Sequence, residues 1–103
     1  MAKVSGSIVL GTTRVINGVV PLRGRFSIQL LCDNLSAETT FYLEMSADKT
    51  NYDVATENGV DIEDSILDGV AKFRAFEGNP GDYWRIRFDG ATTGTVAYIV
   101  NAV

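Results

Sequence analysis

Few residues of this chain are suited to catalysis or metal binding. The 103-residue sequence has no histidine and a single cysteine, Cys32. Histidine is the commonest general base and the usual partner of a nucleophilic serine or cysteine. One cysteine cannot form an internal disulfide, a zinc site or an iron–sulfur site. Because Cys32 follows Leu30 and Leu31, a buried hydrophobic role is favoured over a reactive thiol. We therefore expect a non-enzymatic protein without cofactor or metal.

Carboxylates are concentrated in one acidic segment, which runs from residue 56 to 68 and includes Asp61, Glu63 and Asp64. Glycoside hydrolysis needs two carboxyl groups across a cleft, and a chain this short leaves little room for one. Calcium suits such hard oxygen ligands better, but the segment lacks the spacing of an EF-hand loop. A solvated acidic loop is the favoured interpretation, and a calcium site is the alternative.

Basic residues alternate along two predicted strands, Lys72 with Arg74 and Arg85 with Arg87, and are expected to face outward. If the strands were neighbours, these side chains would form a basic stripe. The stripe would pair either with an acidic partner surface, including the acidic segment of another copy, or with residues of the same chain. The candidate surface for an oligomer or partner comprises Lys3, Lys72, Arg74, Arg85, Arg87, Asp61, Glu63 and Asp64.

Four aromatic residues, Tyr52, Tyr83, Trp84 and Tyr98, would suit a sugar-stacking platform. Aromatic rings of β-sandwiches more often pack in the core or at sheet edges. Core packing is therefore favoured, and carbohydrate binding is kept as the alternative.

Apolar and polar residues alternate with a period of two over most of the chain, which is typical of half-buried strands. In residues 40–46 the pattern places Phe41, Leu43 and Met45 inward and Glu44 outward. We predict an all-β antiparallel β-sandwich, jelly-roll-like, with seven to nine short strands in a single domain over residues 1–103. Residues 1–7 fit either an N-terminal arm that adds to a partner's sheet edge or a frayed terminus.

Turn residues separate the predicted strands. Asn17-Gly18 between β-branched residues predicts a hairpin over residues 14–21, because a type I′ turn needs positive φ at both central positions. Asn58-Gly59 is a second such signal, and residues 78–82 form a dense cluster of turn residues. Residues 62–67 fit either one helical turn or a short strand.

The net charge of −4 disfavours a nucleic-acid partner, because phosphate neutralisation needs basic side chains. The apolar run Ile8-Val9-Leu10 is too short for a signal peptide or a membrane span. We expect a protein that is made and folded in a cytoplasm, with no membrane partner.

Two stretches resemble known β-sandwich modules. Residues 41–52 resemble a strand followed by the signature S-x-D-G-T-N-W/Y, with Lys49 at the glycine position. Residues 83–90, followed by Thr92 to Val96, resemble the closing hairpin of the same modules. Such modules occur in phage virion proteins and in discoidin-like binding proteins.

The resemblance implies a small structural protein of a tailed-phage virion, either a capsid decoration (cement) protein or a minor head protein. It further implies a homo-oligomer such as a homotrimer, and the major capsid protein or another virion protein as partner. Its location would then be the virion. The alternative is a carbohydrate- or receptor-binding module of a phage tail or fibre.

Overall fold

The computed structural model describes residues 2–18, 21–81, 83–89 and 92–102, and in these ranges the fold is all-β, as predicted. No helix in the described ranges is long and apolar enough to cross a membrane. The strands are β1 (Ala2–Leu10), β2 (Val15–Asn17), β3 (Leu22–Asp33), β4 (Thr39–Ser46), β5 (Asp53–Val54), β6 (Thr56–Glu57), β7 (Val60–Asp61), β8 (Glu63–Ile66), β9 (Ala71–Gly81), β10 (Tyr83–Phe88) and β11 (Gly94–Ala102). The number of strands exceeds seven to nine because residues 53–66 form four strands of two to four residues each.

The strands form two packed antiparallel sheets. The first has the order β1-β11-β3-β9, and the second has the order β2-β10-β4, with β5 and β8 both paired to β4. The short pair β6-β7 forms a separate two-stranded ladder beside β9, where the Glu57 carboxylate accepts a hydrogen bond from the Glu77 N–H. Without β5, β6 and β7, the order β1-β11-β3-β9 over β2-β10-β4-β8 is that of a jelly roll, so the predicted fold class is confirmed.

The core lies between the two sheets and is set by strict alternation. In β10 the side chains of Trp84, Ile86 and Phe88 are at most 1% exposed, whereas their neighbours in sequence are half-buried on the outer face. The first sheet contributes the matching inward row Phe26, Ile28, Leu30, Cys32, Val96 and Val100. These residues belong to one hydrophobic cluster, whose burial provides the main stabilising free energy.

The hairpin predicted at Asn17-Gly18 is wrong. β2 pairs with β10, and the Gly18 N–H donates to the Trp84 carbonyl oxygen. Neither Asn17 nor Gly18 has positive φ, as a type I′ turn would require. Val19 and Val20 of the expected second arm lie outside the described residues. Glycine is needed at position 18 for another reason: a Cβ atom there would overlap the Trp84 indole ring.

The second Asn-Gly pair does form the predicted turn. Asn58 and Gly59 have φ values of 54° and 77° and join β6 to β7 with two residues. Both φ values are positive, as in type I′. The segment that follows, residues 62–67, contains the strand β8 and not a helical turn.

β4 differs from prediction in burial, and β9 differs in which side chains face the core. In β4, Met45 lies on the inward side opposite Trp84, as predicted, but is 37% exposed, and Glu44 points outward as predicted but is only 6% exposed. In β9, Phe73 is 61% exposed, whereas Lys72 and Arg74 lie on the inward side, opposite the inward Leu30 and Ile28 of β3. Phe76 sets this orientation, because its ring stacks on Phe26 at a centroid distance of 5.2 Å.

Two further predictions are corrected by the ladders. Residues 78–81, predicted as a turn, continue β9 and pair with β3 across a register irregularity, while Asp82 lies outside the described residues. The described part of the expected N-terminal arm, residues 2–7, is incorporated in β1 and pairs with β11.

Gly18→Ala should lower the free energy of unfolding by about 1–3 kcal/mol or more, because the added methyl group must displace the buried indole ring. Urea unfolding monitored by Trp84 fluorescence measures the change. Asn17→Ala is the matched control and should cost less than about 0.5 kcal/mol, since Asn17 is exposed on β2. Equal losses of stability for Gly18→Ala and Asn17→Ala would contradict the role of the Trp84 contact and favour the predicted hairpin turn.

Candidate functional site

A buried carboxylate organises the outer face of the second sheet. Glu44 on β4 lies opposite Arg85 on β10, and Arg87 follows two residues later on the same face. The Nε–H groups of Arg85 and Arg87 donate to Oε1 and Oε2 of Glu44, at 2.6 and 3.1 Å. Both arginines therefore point outward, as predicted, but their charge is shared with a carboxylate of the same chain.

The two arginines determine the protonation of Glu44. Burial alone would raise the pKa of its carboxyl group, but the hydrogen bonds and positive charges of Arg85 and Arg87 outweigh it, and the pKa is lowered. Glu44 is therefore ionised at neutral pH. The Asp89 carboxylate extends this ion-pair network, with its Oδ1 atom 3.6 Å from Nη1 of Arg87.

Tyrosine rings lie beneath the cations of this face. The guanidinium carbon of Arg85 lies 3.9 Å from the Tyr52 ring centroid, and that of Arg87 lies 4.5 Å from the Tyr42 centroid. The Lys49 ammonium lies 4.9 Å from the Tyr83 ring centroid. These contacts are attractive cation–π pairs that fix the orientation of the side chains.

The signature at residues 46–51 folds as a self-contained turn. The Asp48 carboxylate accepts hydrogen bonds from the N–H groups of Thr50 and Asn51, the Asn51 side chain and the Ser46 hydroxyl. These bonds hold the pKa of Asp48 well below its usual range. Lys49 adopts a φ of 65°, the left-handed conformation that glycine supplies in the related signature. The motif therefore has a turn-forming role.

The basic stripe expected from Lys72, Arg74, Arg85 and Arg87 does not form, because β9 and β10 belong to different sheets. Lys72 and Arg74 instead face β8, where their Nζ and Nη1 atoms lie 3.2 and 3.7 Å from Oδ2 of Asp64. These pairs bridge the two sheets along one side of the sandwich. Among the described residues, the arrangement corresponds to the second of the two alternatives, pairing within the same chain.

The remaining carboxylates of the acidic segment are dispersed. Asp61 and Glu63 are exposed on β7 and β8, and Glu63 lies opposite Tyr42. Asp68 accepts a hydrogen bond from the Leu35 N–H, and Glu57 accepts one from the Glu77 N–H. In the part of the chain that the structure describes, no three acidic, cysteine or histidine side chains are grouped to hold a metal ion.

The predicted aromatic platform is divided between the two sheets. Trp84 is 1% exposed in the core, and Tyr98 packs against the core from β11. Tyr52 and Tyr83 are half-buried beside the cations of the second sheet. Trp84 is therefore not available for stacking on a sugar.

Cys32 is part of the core, as the favoured interpretation held. It is 1% exposed on the inward face of β3. Burial, and to a smaller extent the negative charge of Asp68, raises the pKa of its thiol to about 11. The thiol is therefore protonated at neutral pH, and a protonated thiol is a poor nucleophile.

The outer face of the first sheet is a surface that the sequence did not reveal. We name the two central cross-strand rows of this surface the apolar face, because they contain no charged residue. The rows are Ser5-Ile99-Gln29-Phe73 and Ser7-Ala97-Leu31-Ala71. Phe73 and Leu31 are 61% and 47% exposed. Charged side chains lie at the margin, with Lys3 on β1, Asp33 on β3 and Glu77 on β9. In the sequence, the only signal for this face was Phe76. Because Phe76 lies three residues after Phe73 in β9, its burial requires Phe73 to point outward.

Along the margin of the first sheet, an open groove of about 660 Å³ is lined by residues that include Arg25, Ser27, Ala75, Glu77 and Asn101. It is adjacent to the apolar face, since Ser27 and Ala75 form the next cross-strand pair. The groove and the apolar face together make this side of the sandwich the candidate contact surface. Of the predicted surface residues, Lys3 alone lies on this side, in the row next to the apolar face.

Glu44→Gln should lower the free energy of unfolding by about 1–2 kcal/mol at pH 7, because it leaves two partly exposed arginines without their carboxylate. A lowered folded-state pKa stabilises the protein above the ordinary pKa of the carboxyl group, and this stability is lost as the pH falls. In denaturant titrations, the difference from the wild type should therefore be constant from pH 7 to just above the ordinary pKa of the carboxyl group, and smaller at about pH 3. Glu63→Gln, on an exposed carboxyl, is the control and should change stability by less than about 0.5 kcal/mol. A difference for Glu44→Gln that stays constant with pH would contradict the ionised network.

Comparisons with known proteins bear on the fold. No known protein family and no curated protein sequence matches the chain. Among solved structures, the chain is similar to the crystal structure of a Yersinia pseudotuberculosis-derived mitogen, with a TM-score of 0.54 and 17% sequence identity. The match covers 99% of this chain and 85% of that chain. At this identity the likeness supports the all-β architecture and leaves function to the surfaces described above.

Proposed function

We propose that this chain is a non-enzymatic structural protein of a tailed-phage virion, a capsid decoration protein that binds the capsid surface as a homo-oligomer. The observation that carries the proposal is the apolar face, a sheet surface without charge at its centre and with an exposed aromatic side chain. The resemblance of residues 41–52 and 83–96 to virion modules supplies the identity of the partner.

The apolar face is suited to protein adhesion for physical reasons. Interface centres are depleted of charged residues and enriched in aromatic residues. Phe73 is flanked in its strand by Ala71 and Ala75 and lies opposite Gln29, and its side chain is 61% exposed. A ring in this position can fill a pocket of a partner and become a dominant contact of the interface.

The other outer face is less suited to the same task. There Arg85 and Arg87 both bond to Glu44, and Arg87 also lies 3.6 Å from the Asp89 carboxylate. The two arginines in turn cover Tyr52 and Tyr42. A partner would have to compete with these internal contacts. The two sides of the sandwich thus differ in their readiness to bind, which favours the apolar face.

The alternative, a carbohydrate- or receptor-binding module of a tail or fibre, has weaker support. Its most suitable ring, Trp84, is in the core, so Trp84→Ala would report on folding and not on sugar contact. Tyr83 and Tyr52 remain on the surface, each with a cation above its ring.

Virions banded from a lysate of the strain that carries the coding sequence should contain the chain in many copies, as measured by quantitative mass spectrometry. Phe73→Arg should reduce the bound copies at least tenfold, because it places a charge at the centre of the contact. Its thermal unfolding should match that of the wild type, since the side chain is largely exposed.

Val60→Arg is the matched control. Val60 is 68% exposed on β7 and lies outside the two rows of the apolar face, so the same substitution should leave particle binding unchanged. Absence of the wild-type chain from particles would refute the proposed function. Equal losses for Val60→Arg and Phe73→Arg would refute the apolar face as the contact.

A further inference from the structure

The first strand is a long sheet edge that lacks the usual protective features. β1 forms nine consecutive pairs with β11, and among the described strands it has no other partner. It contains no proline, no register irregularity and a single charged residue, Lys3. Natural edge strands are usually short, charged, bulged or covered, because an open edge is a template for another strand.

The other edges are protected in these ways. β2, β5 and β8 have three, two and four residues. β9 is long, but it contains Pro80 and a register irregularity, and its Glu77 N–H already donates to the Glu57 carboxylate. Only β1 combines length with regularity among the edges that the structure describes.

The hydrogen bonds at the strand ends show which main-chain groups of β1 face away from β11. The Val9 carbonyl oxygen accepts bonds from the N–H groups of Thr12 and Thr13, which lie beyond β1. The main-chain groups of Thr93, just before β11, are hydrogen-bonded to Ser36, which lies on the β3 side. Because main-chain groups alternate in direction along a strand, those of Gly94 and of every second residue after it point towards β1. In an antiparallel ladder this alternation directs the main-chain groups of Lys3, Ser5 and Ser7 to the free edge.

The inward side of β1 is also incompletely covered. Val4 and Ile8 are half-buried, and Gly6 between them is exposed, because the facing edge strand β2 is only three residues long. The Tyr98 hydroxyl lies 2.7 Å from the place where a Cβ atom of Gly6 would be. The tyrosine therefore reaches across to the edge, where a neighbouring strand would bury it further.

We propose that β1 pairs antiparallel with β1 of a second copy, about a two-fold axis at Gly6. This register sets Ser5 opposite Ser7 of the second copy, and Val4 opposite Ile8 of the second copy on the inward side. Lys3 then faces an apolar Val9, so like charges do not meet. The result is a closed dimer with one continuous eight-stranded sheet.

The dimer deepens the proposed function, because it names the contact that builds the homo-oligomer. It also joins the apolar faces of two copies into one surface on the same side of the sheet. A doubled contact surface binds a repeated lattice by multivalency without any new contact within each copy.

Ser5→Pro tests the edge contact. Proline removes the outward N–H and fits an edge strand whose N–H groups face solvent, so pairing with β11 is kept. In sedimentation velocity, the wild type should have twice the monomer mass, and Ser5→Pro should sediment as a monomer. Ala75→Pro, which places the same ring on the outward side of the β9 edge, should remain a dimer. Circular dichroism and thermal unfolding confirm that each variant is folded.

A second variant keeps every N–H group. Ser5→Lys combined with Ser7→Lys sets lysines opposite one another across the proposed axis, on side chains that are exposed in the single chain. It should weaken dimerisation at least tenfold at low salt and less at high salt.

A monomeric or trimeric wild type, or a dimer that both β1 variants leave intact, overturns the edge contact. A monomeric wild type would also contradict the homo-oligomeric state in the proposed function, whereas the capsid decoration role itself is judged by particle binding. Conversely, a dimer that responds as expected but does not bind particles contradicts the proposed function alone.

Discussion

The arrangement of both surfaces depends on the packing of one residue, Trp84, against the backbone at Gly18. The indole ring occupies the space that any side chain at position 18 would need, and the Gly18 N–H donates to the Trp84 carbonyl oxygen. This contact fixes β10 between β2 and β4 with Trp84, Ile86 and Phe88 inward. Because side chains alternate in a strand, Arg85 and Arg87 must then face outward. A shift of one residue would bury both arginines and expose three large apolar side chains, at a cost far above the net stability of a small domain.

The outward arginines in turn explain the difference between the two faces. Glu44 is held between them and is ionised, and Asp89 pairs with Arg87, so the second sheet carries an ion-pair network within the chain. Among the side chains that the structure describes, the outer face of the first sheet has no comparable network, since Lys72 and Arg74 turn inward to Asp64 at the sandwich edge. Its centre is left with small, apolar and uncharged polar side chains. The distribution of ion pairs within one chain therefore decides which side of the sandwich is free for a partner.

The fold class was predictable from the sequence because alternation in β3, β4 and β10 is a local property of each strand. The orientation of β9 was not, because Phe73 and Phe76 are three residues apart and cannot both face the core of a regular strand. The choice depends on Phe26, fifty residues away in sequence, whose ring stacks on Phe76. The two Asn-Gly pairs make the same point. Asn58-Gly59 is a turn because of its own backbone preference, whereas Gly18 is required by a distant tryptophan. The apolar face was missed for this reason, since it exists only once β9 has been oriented.

Size gives a physical reason for the open edge to associate. A domain of about 100 residues buries roughly two thirds of its unfolded surface and retains little surplus stability. Here one margin of the core is incomplete, because the three residues of β2 face the nine of β1 and leave Val4, Ile8 and Tyr98 half-buried. Strand pairing across this edge would satisfy main-chain groups and cover those side chains in the same step. Water already satisfies the free main-chain groups, so hydrogen bonds alone would add little net free energy. The apolar surface beneath the edge therefore supplies the driving force, and the main-chain groups of Lys3, Ser5 and Ser7 supply the register.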